Sequence, residues 1–313
     1  GEPPVLDVCS ADARSALSIG PGVHLDLEAD LYHQHPAVSV SRLKRFDRAP
    51  VLVHHMMKAT EAMRFGTISH SAVLEPDSFE SQYVAYVPPP APPKKKRKGR
   101  EDDAEEGEDK PPSDRRGTKA WDEAKAAAVA TGRTLIKQAE WDSAMRLRDA
   151  VMAQPVAREL LGSGLQTEAS VFWVDPDTGL ACRGRMDGLR RHQGMIVDLK
   201  KTTDARSWAF GNQAAKLLYH WQAAYYLQGI GLAPGGFKAD RFVFLAVEAE
   251  PPHLLSLYEL DAPALQAGAE QVQDALRRYA ECKRSGEWPG YYPDIQQLSL
   301  PAWSTGAYED LAL

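Results

Sequence analysis

The chain has 313 residues, 43% of them apolar, and carries a formal net charge of −6. That length suffices for one large domain or two small ones, and no apolar run reaches the ~18–20 residues of a helical membrane span. Three scattered cysteines, Cys9, Cys182 and Cys282, exclude a disulfide framework and a zinc site, and they predict a reducing compartment, the cytoplasm.

In chain order, residues 1–22 read as an irregular, acidic, proline-bearing lead-in rather than a signal peptide. A helix is predicted after Ser39, which can cap it, with Leu43 and Phe46 on one face. A second helix over 66–76 sets His70 a turn from Val73 and Leu74. Residues 88–117 form a low-complexity insertion of prolines, the basic run Lys94–Lys98 and an acidic block. It cannot bury enough apolar area to offset chain entropy and is predicted to be disordered. The Lys94–Lys98 run itself reads as a self-screened charge block, an import-type signal or a nucleic-acid-tracking arm. Helices follow at 118–130 and 137–153, then strands at 168–174, 180–188 and 194–200. Two helices at 205–216 and 219–231, strands at 241–248 and 253–260, and a helix from Ala262 to Arg284 complete the pattern. This order predicts an α/β fold, a central mixed β-sheet flanked by helices. The organisation expected is one catalytic domain: residues 1–87 as its helical N-terminal part, 88–117 as the insertion, and 118–313 as the core and C-terminal part.

The densest chemistry lies between Glu168 and Lys200, with Gly184-Arg185-Met186-Asp187 and Asp198-Leu199-Lys200 inside it. Residues i and i+2 of a strand share a face, so Asp198 and Lys200 can converge on one phosphate. A hairpin brings Asp187 alongside. Hard oxygen ligands of this kind bind magnesium, and the lysine can orient or deprotonate a water. An Asp-X-Lys triplet is also common as a surface ion pair of little energetic value. Here Ile196, Val197 and Leu199 make the strand apolar, and a charge in such a strand needs a partner. Lys201 points to the opposite face. Asp187 before Gly188 also suits a turn. Glu168 reads as a further acidic residue of the site, as a holder for a neighbouring basic group, or as a solvated strand start. His70 alone suits a half-buried histidine as well as a ligand. Gln222 and Tyr226 share a helix face at i, i+4, a spacing that also suits packing. Ser39, Ser41, Arg42 and Arg45 cluster at a helix start, where backbone N–H groups and hydroxyls can hold a phosphate.

These residues resemble the PD-(D/E)XK nuclease superfamily, and within it the nuclease domain of RecE-type exodeoxyribonuclease VIII and, more distantly, lambda exonuclease. The likeness runs through Val38–Leu43 with Ala49-Pro50, Gly66–His70 with Leu74-Glu75-Pro76, and Glu168–Trp173 with Asp175–Gly179. It continues through Asp198–Thr203, His220-Trp221-Gln222 with Tyr226, and Glu287-Trp288-Pro289 with Leu298–Pro301. The resemblance implies a magnesium-dependent enzyme, with manganese also suited to a histidine ligand, that degrades one strand of linear double-stranded DNA 5′ to 3′ and leaves 3′ tails for recombination. It implies metal held by His70, Asp187, Asp198 and the Leu199 carbonyl. Lys200 positions the nucleophile, Glu168 belongs to the site, and Gln222 and Tyr226 touch DNA or the lysine. Ser39, Ser41, Arg42 and Arg45 become the candidate pocket for a 5′-phosphate. It further implies a homo-oligomeric ring and a RecT-like single-strand annealing partner. In metal-free protein, removing Asp198 is expected to relieve carboxylate repulsion and raise the melting temperature.

The negative charge is unusual for a DNA enzyme, and the insertion does not cause it, since residues 94–117 hold nine Lys/Arg against eight Asp/Glu. Bound cations and a basic inner ring wall would reconcile the two. Two other readings remain open: another endonuclease of the superfamily, and a non-catalytic DNA-binding recombination scaffold. A Cas4-like enzyme is disfavoured because three scattered cysteines cannot ligate an iron–sulfur cluster.

Overall fold

The computed structural model describes residues 18–55, 61–88, 116–301 and 304. Strand β1 (Gly22–His24), helix α1 (Ala29–Gln34), β2 (Val38–Ser39) and α2 (Val40–Arg48) open the chain. They are followed by α3 (Glu61–Leu74), α4 (Pro76–Gln82), β3 (Tyr83–Tyr86), α5 (Lys119–Ala130), β4 (Thr134–Lys137), α6 (Gln138–Ala153) and α7 (Pro155–Leu161). The remaining elements are β5 (Gln166–Val174), β6 (Ala181–Arg190), β7 (Met195–Thr202), α8 (Ser207–Lys216), α9 (Tyr219–Leu232), β8 (Arg241–Glu248), β9 (Leu255–Glu259) and α10 (Ala262–Ser285).

The main sheet runs β1-β5-β6-β7-β8-β9, with β2 paired to β6. The β7–β8 and β2–β6 pairs are parallel and the others antiparallel, so the sheet is mixed, as expected. The β7–β8 crossover is made by α8 and α9, since two parallel neighbours need a long connection. Strand β8 is apolar and buried from Phe242 to Val247, as a strand covered on both faces must be. Its alternation sorts the two sides. Ile196, Phe242, Phe244 and Ala246 join the core beneath α9 and α10, whereas Leu199, Leu245 and Val247 pack with Val73, Leu74, Leu147 and Val151 of α3 and α6. A separate two-stranded parallel sheet pairs β3 with β4.

Local chemistry sets the ends. The Ser39 hydroxyl accepts from Arg42 N at 3.3 Å and starts α2. Asp261 caps α10 through Ala264 N, and Gly286, left-handed at φ 78°, ends it. Buried Arg190 on β6 donates to the carbonyls of Glu159, Leu160 and Ser163, satisfying the end of α7.

Two glycines let α9 approach the sheet. A Cβ at Gly229 would lie 2.6 Å from the Trp173 ring, and one at Gly184 would lie 2.8 Å from Tyr226. Trp173 is fully buried and cannot step aside. Gly229→Ala is therefore expected to cost about 1–3 kcal/mol by overpacking, read as a lower denaturation midpoint at unchanged m-value. An unchanged midpoint would show that the helix can slide.

The long elements match the sequence reading to within one or two residues. The predicted helix at 66–76 begins earlier, at Glu61, and ends at Leu74; Pro76 instead opens α4, where a proline fits the first turn. The lead-in is not wholly irregular, because Gly22–His24 pairs with β5. The insertion expected to be disordered lies almost entirely outside the described residues, as do residues 1–17.

Candidate active site

Strand register puts three carboxylates in one row. The β5–β6 ladder pairs Thr167 with Gly188 and Ala169 with Met186, so Glu168 stands across from Asp187. The β6–β7 ladder ends at Gly188–Val197, one step before Asp187 would meet Asp198. The strands part at that step, and the Leu199 N–H donates to Asp187 Oδ2 at 2.8 Å instead of to a strand carbonyl. Like charges opposite one another destabilise a sheet. The row therefore needs cations.

Lys200 supplies one. Its Nζ lies 2.5 Å from Asp198 Oδ2, and the two side chains are 15% and 1% exposed. Gln222 Nε2 donates to Asp198 Oδ1 at 2.6 Å, fixing the carboxylate from α9. The Lys200 ammonium also lies 4.9 Å from the Tyr219 ring centroid. Gln213 on α8 donates to the Tyr219 hydroxyl at 3.1 Å and to the Lys201 carbonyl at 3.1 Å, so the ring is tied back to β7. Burial alone would pull the Lys200 pKa down, but Asp198 and Asp187 outweigh it and hold the lysine charged. Lys201, on the other face, sits 3.7 Å from the Phe65 ring centroid.

On the far side of Asp187 are His70 and Glu168. His70 Nδ1 is 3.4 Å from Asp187 Oδ2, and single ligand atoms from His70, Glu168 and Asp187 all lie within 4.8 Å of one another. Leu74 and Val73, a turn after His70, are buried against Leu199, which orients the α3 face carrying the imidazole. Glu168 adopts φ 52° inside a strand. That conformation is costly for a non-glycine residue and clusters at functional sites. Arg185 Nε holds the same side chain at 2.6 Å while its Nη1 donates to Leu27 O and Ser170 Oγ.

The electrostatics suit a divalent cation. Burial, then Asp198, pushes the Asp187 pKa well above the usual carboxylate range, with Lys200 opposing. Burial, then Lys200, lowers the His70 pKa, favouring the neutral imidazole that can ligate metal. Two carboxylates and a neutral histidine are a donor set for magnesium or manganese. The residues fit the ion.

The structure thus brings together His70, Glu168, Asp187, Asp198, Leu199, Lys200 and Gln222. It differs from the sequence reading in two places. Tyr226 is buried with its ring against Gly184, near enough to Asp198 and Asp187 that their charges, after burial, raise its pKa, and the aromatic whose ring meets the lysine is Tyr219, two turns earlier on α9. Asp198 is neutralised by Lys200 and bound by Gln222, so removing it would strand a buried cation. The carboxyl under repulsion is Asp187, and the expected stabilisation belongs there. The residues of the candidate phosphate pocket on α2 make local bonds that use part of their capacity. Ser39 caps its own helix, Arg42 Nη1 donates to Pro36 O at 2.9 Å, Arg45 Nη1 donates to His55 O at 3.1 Å, and Ser41 is exposed. The α2 residue that reaches toward Lys200 is Lys44. Sequence reading also missed Tyr219 and Gln213. The i, i+3 spacing of Tyr219 and Gln222 is the sequence signal that puts them on one face of α9.

Among known proteins, a family model described as a PDDEXK-like domain of unknown function (DUF3799) matches residues 39–299. No curated protein matches the chain. A crystal structure of a candidate exonuclease from Eubacterium rectale is similar over 90% of this chain and 99% of its own, at 14% identity and a TM-score of 0.55. A likeness at that identity speaks for the fold. The structure of SSO0001 matches 45% of this chain and 68% of its own at 14% identity, but its TM-score of 0.27 carries no weight.

Proposed function

The chain belongs to the DUF3799 family of PDDEXK-like domains, and from that premise we propose a metal-dependent exodeoxyribonuclease that degrades linear duplex DNA 5′ to 3′ and leaves 3′ single-strand tails. Family and fold support a nuclease. The observation that carries the chemistry is the row of Glu168, Asp187 and Asp198 across the sheet, met by Lys200 from β7 and His70 from α3. Magnesium is the proposed ion, with manganese a second competent one. Duplex ends, a ring of identical chains and a strand-annealing partner belong to the same proposal and rest on the RecE-type resemblance.

His70 and Asp187, with Asp198 and the Leu199 carbonyl as the resemblance implies, would hold the metal, and Glu168, grouped with His70 and Asp187, would add a further ligand. A bound divalent ion supplies charge stabilisation for the phosphate as its bond to oxygen breaks. The protein's own groups do the rest. Lys200, held protonated, directs an N–H toward an attacking water or a non-bridging phosphate oxygen and stabilises negative charge as it develops. Asp198 anchors that ammonium, and Gln222 fixes the rotamer of Asp198. Tyr219 walls the lysine from one side.

Polarity is tested with linear duplex labelled at either end, beside a closed circle of the same sequence. Early release of 5′ label as mononucleotides, a persistent 3′ tail and an uncut circle are expected. Early release of 3′ label would overturn the direction. Cutting of the circle would make the enzyme an endonuclease.

A further inference from the structure

Lys44 is absent from the set just described, yet α2 aims it at the same space. Leu43 and Phe46 beside it are fully buried, which fixes the rotation of the helix. Lys44 Nζ donates to the Leu217 carbonyl at 2.7 Å. That carbonyl belongs to the turn before α9, where Leu218 is left-handed at φ 53°. The same ammonium lies 5.7 Å from the Tyr219 ring centroid, and Lys200 lies 4.9 Å from it. The two ammonium groups therefore lie near one ring and are no farther apart than the sum of those distances.

Their partners differ. Lys200 has Asp198. Lys44 has a neutral carbonyl, and among the described residues no carboxylate pairs with it. Burial, then the Lys200 charge, lowers the Lys44 pKa to about 8, with Asp198 acting the other way. A half-buried cation bonded to a neutral carbonyl, with a second cation near it, is an arrangement that an added anion improves. The substrate of the proposed reaction is a chain of anions. A purely structural lysine at this turn would need only its single hydrogen bond to Leu217, and it would gain nothing from facing Lys200.

We infer that Lys44 is a substrate-binding residue of this site, its ammonium holding a non-bridging oxygen of a backbone phosphate that lies beside the Tyr219 ring. The inference rests on the nuclease reading and adds to it a second cationic contact on the strand being cut. A charge-assisted contact of this kind is worth about tenfold to hundredfold in affinity.

The test is duplex binding in EDTA, where chemistry is off, with wild type, Lys44→Gln and Lys44→Arg. Each protein is titrated with duplexes carrying one neutral methylphosphonate at successive positions near the 5′ end. Lys44→Gln is expected to bind about tenfold more weakly, and Lys44→Arg to recover most of the loss. At one position the methylphosphonate should weaken wild type by a similar factor and leave Lys44→Gln unaffected, because contact and charge are already gone. A role confined to clasping the Leu217 turn would lower the melting temperature without any position-specific coupling. Additive penalties at every position, or wild-type affinity in Lys44→Gln, would overturn the assignment. Cleavage in magnesium separates the two claims. If wild type neither binds nor cuts duplex, the nuclease reading falls as well. If wild type cuts and Lys44→Gln binds and cuts equally well, only Lys44 is lost.

Discussion

Lys200→Ala is expected to slow phosphodiester hydrolysis by ~10²–10⁴-fold, while Lys201→Ala stays within about threefold of wild type. The difference follows from strand alternation. Lys200 shares its side of β7 with Asp198 and sits 2.5 Å from that carboxylate, whereas Lys201 lies on the opposite side over Phe65. Removing Lys200 deletes the charge that faces the phosphate and leaves Asp198, 1% exposed, with only Gln222 as a partner. Loss of activity should therefore come with some loss of stability. Asp198→Ala should be equally inactive, and the double variant should be no worse than either single one, because the pair acts as a unit. Single-turnover rates on linear duplex in magnesium give the comparison. An active Lys200→Ala beside a dead Lys201→Ala would mean that β7 is shifted by one residue.

Asp187→Asn should separate stability from activity in the opposite direction. Asparagine keeps an oxygen to accept the Leu199 N–H that Asp187 now accepts at 2.8 Å, but it removes the charge facing Asp198 and Glu168. Because burial and Asp198 raise the Asp187 pKa in the folded state, the native protein holds this proton more tightly than the unfolded chain does. The stability tied to that proton is present at acid pH. It is lost as pH rises from the unfolded value, about 3.9, through the raised folded value. In EDTA at neutral pH the variant should therefore melt higher than wild type, at about 2–4 °C per kcal/mol gained. Magnesium should reverse the ranking: wild type gains about 2.7 kcal/mol at a hundredfold excess over its dissociation constant, whereas the variant gains little and is inactive. Melting curves with and without magnesium, across acid to neutral pH, check both parts. A metal-free variant that melts below wild type at neutral pH would refute the repulsion, and a full magnesium shift in the variant would remove Asp187 from the metal site.

Much of the site was legible because its signals are local. Asp198 and Lys200 are two apart on a strand, which alone sends them to one side. His70 and the Val73-Leu74 pair are a helical turn apart, so the core contact of one orients the other. Long elements were legible for a similar reason: α10 carries its cap at Asp261 and its stop at Gly286 in the sequence itself. Short elements such as β2, β3, β4 and α7 were missed because two to seven residues carry too little periodicity to stand above loop composition.

The sequence by itself determined the α/β class, the order of the long elements, and the row-forming residues Glu168, Asp187 and Asp198 with their lysine. Tertiary structure alone decided what surrounds them. It made Tyr219 rather than Tyr226 the aromatic wall, because Gly184 and Gly229 draw α9 onto the sheet and turn Tyr226 into the core. It tied one guanidinium nitrogen each of Arg42 and Arg45 to backbone carbonyls and set Lys44 on the Leu217 carbonyl, near the ring that Lys200 meets. It also made Asp187 the strained carboxylate and Asp198 the paired one, through the point at which the β6–β7 ladder stops. Each of these depends on how far apart two segments distant in the chain come to rest, and no spacing within one segment encodes that distance.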